Sequence, residues 1–146
     1  LNHRYVDGQG RYHSDFRPDN FAFRGHVRPL EPLGRIGVVA VRFNALYGPL
    51  FGRGPDMIAG MSEISPLEVM ERHDLKKGEL DLYAAYGGCD ELNITAQVDS
   101  FLYVARQRGI EVTTDFDPCG RHDLPSAMRQ FPAALRWASA RLAANR

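Results

Sequence analysis

Two side chains suited to acid–base chemistry, Asp90 and His122, stand at corresponding places in two similar segments of the sequence. Residues 80–90 (LDLYAAYGGCD) and residues 111–122 (EVTTDFDPCGRH) each combine strand-forming residues with a glycine-containing turn that ends on one of the two side chains. A carboxylate that accepts a hydrogen bond from an imidazole fixes the tautomer of the ring and stabilises its protonated form. The imidazole can then act as general base and general acid near neutral pH. If the fold brings the two segments together, this pair can transfer protons.

Each side chain also has a purely structural interpretation. Asp is a favoured helix N-cap, so Asp90 could cap the helix that is predicted to begin near Asn93. His122 precedes the last predicted helix and could be an ordinary surface histidine. Glu91 is the alternative acid beside Asp90. The functional interpretation requires both residues to lie at the same edge of one sheet.

The elements around the pair predict such an edge. Residues 80–86 and 110–116 are predicted strands, and the apolar residues between them repeat with helical period from Asn93 to a terminating Gly109. Strand, helix, strand and helix in this order are typical of a parallel sheet with a right-handed crossover. The loops that follow both strands would then open at the same edge of the sheet, where α/β folds place their ligands.

The last helix is predicted to carry Leu135, Ala138 and Leu142 on one face. Pro132 should lie in its first turn, because a proline lacks the backbone N–H that later turns require. Residues 80–146 would therefore form the strand–helix–strand–helix unit of the domain, which carries the acid and the histidine.

Residues 1–79 are predicted to form an irregular and helical excursion of the same single domain, which spans residues 1–146. The β-branched residues at 36–43 predict a strand, although an extension of this apolar run to Tyr47 is also compatible with a buried helix. Four glycines and two prolines between positions 48 and 60 predict a lid-like surface loop.

A short helix is predicted to begin after residue 65. Ser65 would be its N-cap, Pro66 its first residue, and Glu68 the third residue that completes a capping box. The helix should end before the Lys-Lys-Gly segment at residues 76–78.

The composition of the 146-residue chain is that of a globular protein, with 44% hydrophobic and 25% charged residues. Its 18 basic and 18 acidic residues cancel, so the charge gives no support to a nucleic-acid partner. We expect no membrane span, because the apolar runs are too short. We also expect no metal or other cofactor, since His3, His13 and His73 lack the tight spacing of metal ligands.

The sequence shows no clear nucleophile to accompany the pair. Ser62 lacks the second glycine of G-x-S-x-G and follows no predicted strand, so we reject it. Cys89 and Cys119 lie on the two loops, where a disulfide could join them, although we expect two reduced, half-buried thiols. Either thiol would have to turn into the site to serve as a nucleophile.

Residues 58–142 resemble the C-terminal half of the α/β-hydrolase proteins of the esterase D-like group. The turn at residues 87–90 (GGCD) is similar to the G-x-x-D-like turn of that group, and residues 118–122 (PCGRH) are similar to its Pro-x-Gly-x-His turn. Residues 1–5 also look like the end of the strand that follows the nucleophile helix.

This resemblance implies an α/β fold class, namely the C-terminal part of an α/β-hydrolase parallel sheet with flanking helices, in an incomplete domain. The chain order of that fold is Ser, then Asp or Glu, then His, so Asp90 and His122 would be the second and third members of a triad. The serine should precede Leu1 by roughly 30 residues, given the usual size of a βαβ unit. The missing N-terminal half would be the partner that completes the domain.

The resemblance also implies the reaction, which is acyl transfer from a small-molecule ester. Phe51, Met57 and Ile58 would then line an apolar acyl pocket. Two other classes stay open: a non-catalytic binding or assembly module of the same fold, and a hydrolase with a cysteine nucleophile. On the esterase interpretation this chain alone should be unstable and inactive, because half of a parallel sheet leaves an unpaired edge and an uncovered apolar face.

Overall fold

The structure is a computed structural model that describes residues 4–6, 12–13, 21–22, 32–92 and 94–144. It combines helices with three small sheets, one of which is parallel. In chain order the elements are β1 (Arg4–Val6), β2 (Tyr12–His13), β3 (Phe21–Ala22), β4 (Pro32–Ile36), β5 (Val39–Arg42), α1 (Phe43–Phe51), α2 (Pro55–Ile64), α3 (Pro66–Arg72), β6 (Leu82–Gly87), α4 (Ile94–Gln107), β7 (Val112–Asp117) and α5 (Leu124–Ala144).

The predicted parallel pair is confirmed in β6 and β7. The two strands run parallel in unbroken register from Leu82 opposite Val112 to Gly87 opposite Asp117. α4 connects them, and Gly109 follows this helix with a φ of 70°, as a terminating glycine does. Both strands therefore end at the same edge of the sheet.

The helices cover both faces of this pair. Leu82 and Val112 pack against the buried cluster of Leu67, Met70, Ala105 and Ile110, which α3 and α4 help to form. Tyr83 instead packs against Trp137 of α5, with ring centroids 5.3 Å apart. Because successive strand residues point to opposite faces, α5 lies on the face opposite α4.

α5 is longer than the sequence suggested and presents a different face to the sheet. It begins at Leu124, so Pro132 lies inside the helix and the prediction of a first-turn proline was wrong. The helix is capped by Asp123, whose Oδ1 accepts a hydrogen bond from the Ser126 amide at 2.8 Å. The sequence prediction placed the helix start later because it did not recognise this cap. Leu135 and Leu142 of the predicted apolar face are exposed.

Residues 48–60 are mostly helical, so the prediction of a lid-like loop was wrong. α1 ends at Phe51 and is capped by Gly52, which has a φ of 84°, and α2 starts with Pro55 in its first turn. Gly52 and Pro55 therefore mark helix boundaries, whereas Pro49 lies inside α1. Gly60 has a packing role within α2, because a Cβ built there would lie 2.8 Å from the Phe51 ring.

The strand predicted at residues 36–43 is divided by a turn. Ile36 ends β4, Gly37 adopts a φ of 59°, and Val39 begins β5, which pairs antiparallel with β4. Phe43 already belongs to α1, where its buried side chain packs with those of α2. Glycine permits this turn because it adopts a positive φ at low cost.

Two other expectations for the first half are met only in part. α3 starts at Pro66 and ends at Arg72, as predicted, but Ser65 makes no side-chain capping bond. The capping box therefore lacks the bond from its serine, and Glu68 accepts a hydrogen bond from the Ser62 hydroxyl. β1 contains only part of the strand expected at residues 1–5 and pairs antiparallel with β2 and β3, while residues 1–3 lie outside the described part of the chain.

Candidate active site

Asp90 and His122 meet beyond the ends of the parallel strands. The Nδ1 atom of His122 lies 2.9 Å from Oδ2 of Asp90. The Asp90 side chain is 7% exposed, whereas the His122 side chain is 53% exposed. The carboxylate is thus held inside the protein, and the imidazole is accessible from solvent.

Asp90 also fills the structural role that the sequence offered as an alternative. Its Oδ1 atom accepts a hydrogen bond at 2.8 Å from the amide of Leu92, which precedes α4, and a longer one at 3.5 Å from the amide of Ile94, the first residue of α4. These bonds satisfy one backbone donor of the turn before α4 and one donor of its first turn. The two interpretations of Asp90 are therefore compatible, because each uses a different carboxylate oxygen. Asn93, near which the sequence predicts this helix to begin, lies outside the described residues.

The loops after β6 and β7 are held in direct backbone contact. The Gly88 amide donates to the Asp117 carbonyl at 2.8 Å, and the Cys89 amide donates to the Gly120 carbonyl at 2.9 Å. A Cβ built at Gly87 would lie 2.2 Å from the Gly120 carbonyl oxygen. Glycine is thus required at this position by the approach of the two loops, and this approach fixes the spacing of Asp90 and His122.

Glu91 holds the histidine loop but does not contact the imidazole in this structure. Its Oε2 atom accepts a hydrogen bond from the His122 backbone amide at 3.0 Å. Its other oxygen forms an ion pair with Arg121. The His122 amide, together with the backbone amide of Glu91 itself and the Arg121 guanidinium, lowers the pKa of the Glu91 carboxyl. Glu91 is therefore placed to position the histidine backbone, whereas Asp90 contacts the ring.

A second set of polar residues fixes the loop from the side of α5. Arg129 bonds both Oδ2 of Asp117, at 3.1 Å, and the Ser126 hydroxyl, at 3.0 Å. The Ser126 hydroxyl also accepts a hydrogen bond from the Arg121 amide at 3.0 Å. Hydrogen bonds from the Ser126 hydroxyl and amide lower the pKa of Asp123.

Gln130 extends this support to the sheet, since its amide nitrogen donates to the carbonyl groups of Asp115, at 2.8 Å, and Tyr86, at 3.3 Å. Ser126, Arg129 and Gln130 were not among the residues that the sequence predicted for the site. The Asp-x-x-Ser spacing of residues 123–126 was an available signal for the helix start.

A cavity of about 440 Å³ adjoins the pair and includes Asp90 and His122 in its wall. Ile94 and Leu124 provide apolar parts of the lining, while Arg121, Ser126 and Gln130 provide polar ones. A site of this kind, with a solvent-accessible imidazole and a mixed wall, can take a small polar molecule that has an apolar substituent.

The structure does not bring Phe51, Met57 and Ile58 to this cavity. Met57 is fully buried in a cluster with Phe43 and Met61, and Phe51 packs against that cluster. Ile58 is half-buried in α2 and is not part of the cavity wall. The helical packing of residues 43–64 explains this placement, since their aromatic and methionine side chains form a small core.

The described part of the chain offers no free nucleophile in the cavity wall. Ser126 is the serine of this wall, and its hydroxyl is engaged by Arg121, Arg129 and Asp123. Cys89 and Cys119 are free thiols, as expected, but they are exposed rather than half-buried.

Among the residues that the structure describes, no group of three or more His, Cys, Asp or Glu side chains is arranged to hold a metal ion. No helix in that part of the chain is long and apolar enough to cross a lipid bilayer.

Comparison of the chain with known protein families, with curated proteins and with solved structures finds no significant match. What the site can do must therefore follow from its own residues. These are a buried carboxylate bonded to an exposed imidazole, a loop pair that fixes their spacing, and an adjoining cavity.

Proposed function

We propose that Asp90 and His122 are the acid and the base of a Ser-Asp-His triad in a carboxylic-ester hydrolase. The observation that supports this proposal is the 2.9 Å contact between His122 Nδ1 and Asp90 Oδ2 at the ends of two adjacent parallel strands. A carboxylate on one ring nitrogen favours the tautomer that leaves the other nitrogen unprotonated.

The second ring nitrogen of His122 is the atom that would move the proton. Within the described residues no hydrogen bond engages Nε2, and the imidazole borders the cavity. Nε2 would accept the proton of an attacking serine hydroxyl and then deliver it to the leaving alcohol of the ester. Asp90 would orient the ring and stabilise the imidazolium between these two steps. Water would then attack the acyl-enzyme by the same proton transfers in reverse order.

The nucleophile and the oxyanion-hole donors would come from polypeptide outside residues 1–146. Among the described residues, this part of the proposal is supported by Ser126, the serine of the cavity wall, because a hydroxyl that bonds the Arg121 amide, the Arg129 guanidinium and Asp123 is not available for attack. A cysteine nucleophile has less support, since neither Cys89 nor Cys119 belongs to the wall of the cavity. The chain alone would then have no triad-dependent esterase activity.

The test is hydrolysis of p-nitrophenyl esters by the longest native polypeptide that contains this chain. His122→Ala should lower kcat/KM by about 10³-fold or more, because removing a triad member leaves only binding and oxyanion stabilisation. His73→Ala is the matched control, since His73 is an exposed histidine outside the site, and it should retain the wild-type rate. Equal rates for the wild type and the His122 variant, or no hydrolysis by the wild type of any ester tried, would contradict the proposal.

A further inference from the structure

The two cysteines lie on opposite sides of the contact between the loops that carry Asp90 and His122. Cys89 directly precedes Asp90, and Cys119 lies three residues before His122. Both thiols are free and exposed. A small reagent can therefore reach each of them.

The backbone contacts place the two cysteines close together. The hydrogen bonds from Gly88 to Asp117 and from Cys89 to Gly120 bracket the residues Pro118 and Cys119. The Cys89 thiol itself lies 3.5 Å from the carbonyl oxygen of Pro118. In a trans peptide this oxygen is about 2.8 Å from the next Cα, so Sγ of Cys89 lies within roughly 6 Å of the Cα of Cys119.

A disulfide requires the two Cα atoms to lie about 4.4–6.8 Å apart. The thiol of Cys89 lies beside the backbone of Cys119, and rotation about the two Cα–Cβ bonds can turn the sulfur atoms toward each other. The backbone hydrogen bonds from Gly88 to Asp117 and from Cys89 to Gly120 keep the loops from separating. The fold thus holds the Cys89 thiol beside the Cys119 backbone even in the reduced state.

We propose that Cys89 and Cys119 form a redox-active dithiol that a small-molecule disulfide, such as glutathione disulfide, converts into an intramolecular disulfide bond. One cysteine thiolate attacks a sulfur of the reagent, forms a mixed disulfide and releases one glutathione thiolate. The second cysteine thiolate attacks the protein sulfur of that mixed disulfide and releases the second glutathione. The two cysteines together lose two protons and two electrons, and the glutathione disulfide is reduced to two thiols.

The new bond would link the residue before Asp90 to the loop that ends at His122. It would add a covalent connection to the hydrogen bonds that hold the loops. Opening of the two loops should then be suppressed, and the amide of His122 should exchange its proton with solvent more slowly in the oxidised protein. This site depends on the loop geometry alone and does not require the protein to hydrolyse esters.

The test is oxidation of the longest native polypeptide that contains this chain with glutathione disulfide, followed by mass measurement of the unreduced proteolytic peptides that carry Cys89 and Cys119. The expected product has lost two hydrogens, carries no glutathione and has no free thiol. Cys89→Ser and Cys119→Ser should each stop at one glutathione adduct, with far-UV circular dichroism to verify that both variants are folded.

The rate at which the disulfide closes distinguishes two thiols that the fold holds close together from two thiols that meet by diffusion of an unfolded chain. Closure should be at least about tenfold faster in native buffer than in 8 M urea, because the fold holds the thiols at short range. Two persistent glutathione adducts, a disulfide-linked dimer as the main product, or closure that is no faster in native buffer than in urea would overturn the proposal. The masses do not depend on whether His122→Ala loses esterase activity. The outcome of this test is therefore independent of the test of the proposed function.

Discussion

Asp90 serves two neighbours through its two carboxylate oxygens. Oδ1 accepts hydrogen bonds from the Leu92 amide, just before α4, and the Ile94 amide, in its first turn, and Oδ2 contacts the His122 imidazole. The cap fixes the carboxylate in place, because its rotation would break the bonds to the backbone. A residue with a structural role in the helix is thereby held ready for a role in proton transfer.

Substitution of Asp90 should separate these two roles. Asp90→Asn keeps a side-chain oxygen that can cap α4, so its free energy of unfolding should fall by less than about 0.5 kcal/mol, whereas Asp90→Ala should cost about 1 kcal/mol. Both variants lose the anionic partner of His122 and should lose most of the proposed activity. Urea unfolding measures the difference in stability. If the Asn variant were as unstable as the Ala variant, Oδ1 of Asp90 would not be stabilising the start of α4.

Glu91 makes the histidine loop sensitive to acid. The His122 amide lowers the pKa of Glu91, so the folded state binds its proton less readily than the unfolded chain does. A lowered pKa contributes stability that is fully present above the unfolded value of about 4.3 and is lost as the pH falls through the folded value. Protection of the His122 amide in hydrogen exchange, corrected for intrinsic rates, should therefore decrease below about pH 4. Glu91→Gln should remove most of this dependence, and an unchanged pH profile in that variant would contradict the assignment.

At the scale of elements, the loops after β6 and β7 fix the geometry of the site. They meet backbone to backbone, while Arg129 of α5 bonds Asp117 at the end of β7 and Gln130 bonds the strands themselves. The Thr95 hydroxyl at the start of α4 donates to the Gly87 carbonyl and holds the first loop to that helix. The distance between Asp90 and His122 is therefore set by β6, β7, α4 and α5 together and not by either loop alone.

Gly87→Ala should disrupt this contact. The added Cβ would lie 2.2 Å from the Gly120 carbonyl oxygen, so one loop must move. We expect a loss of about 2–4 kcal/mol in the free energy of unfolding, the range of mutations that introduce a severe backbone clash. Gly48→Ala is the matched control, because no heavy atom lies within 4 Å of a Cβ built in that helical position, and it should be neutral or stabilising. Equal effects of the two variants on urea unfolding would count against the loop contact.

The sequence was sufficient to predict the parallel strands, the helix between them and the Asp90–His122 pair. These features depend on local patterns, namely strand propensity, helical period and a terminating glycine. It was not sufficient for α1 and α2, because their segment is rich in glycine and proline, and this composition is also typical of a surface loop. Nor did it predict Arg129 or Gln130, whose partners Asp117 and Tyr86 come from other elements.

At the scale of the whole molecule, the described residues form two small apolar clusters and a parallel sheet of only two strands. No other strand of the described ranges pairs with this sheet. α5 also presents a row of exposed apolar side chains with helical spacing, namely Leu124, Met128, Phe131, Leu135 and Leu142. An exposed row of this size is typical of a surface that another polypeptide covers.

The isolated chain should therefore self-associate. We expect soluble oligomers or aggregates at micromolar concentration in analytical ultracentrifugation, because association removes the exposed row of α5 from water. Replacing Leu135 and Leu142 by lysine should reduce this association without loss of helical content, since both side chains are exposed and leave no buried partner. A wild-type chain that stays monomeric and melts cooperatively and reversibly would contradict the interpretation of the domain as incomplete.

The hydrogen bond between Asp90 and His122 can be observed directly by ¹⁵N NMR of the His122 imidazole. At alkaline pH we expect the tautomer with the proton on Nδ1 in the wild type and a shift away from it in Asp90→Asn. His73 provides the reference in the same spectrum. A His122 ring with its proton on Nε2, or a tautomer that does not depend on Asp90, would contradict the central claim.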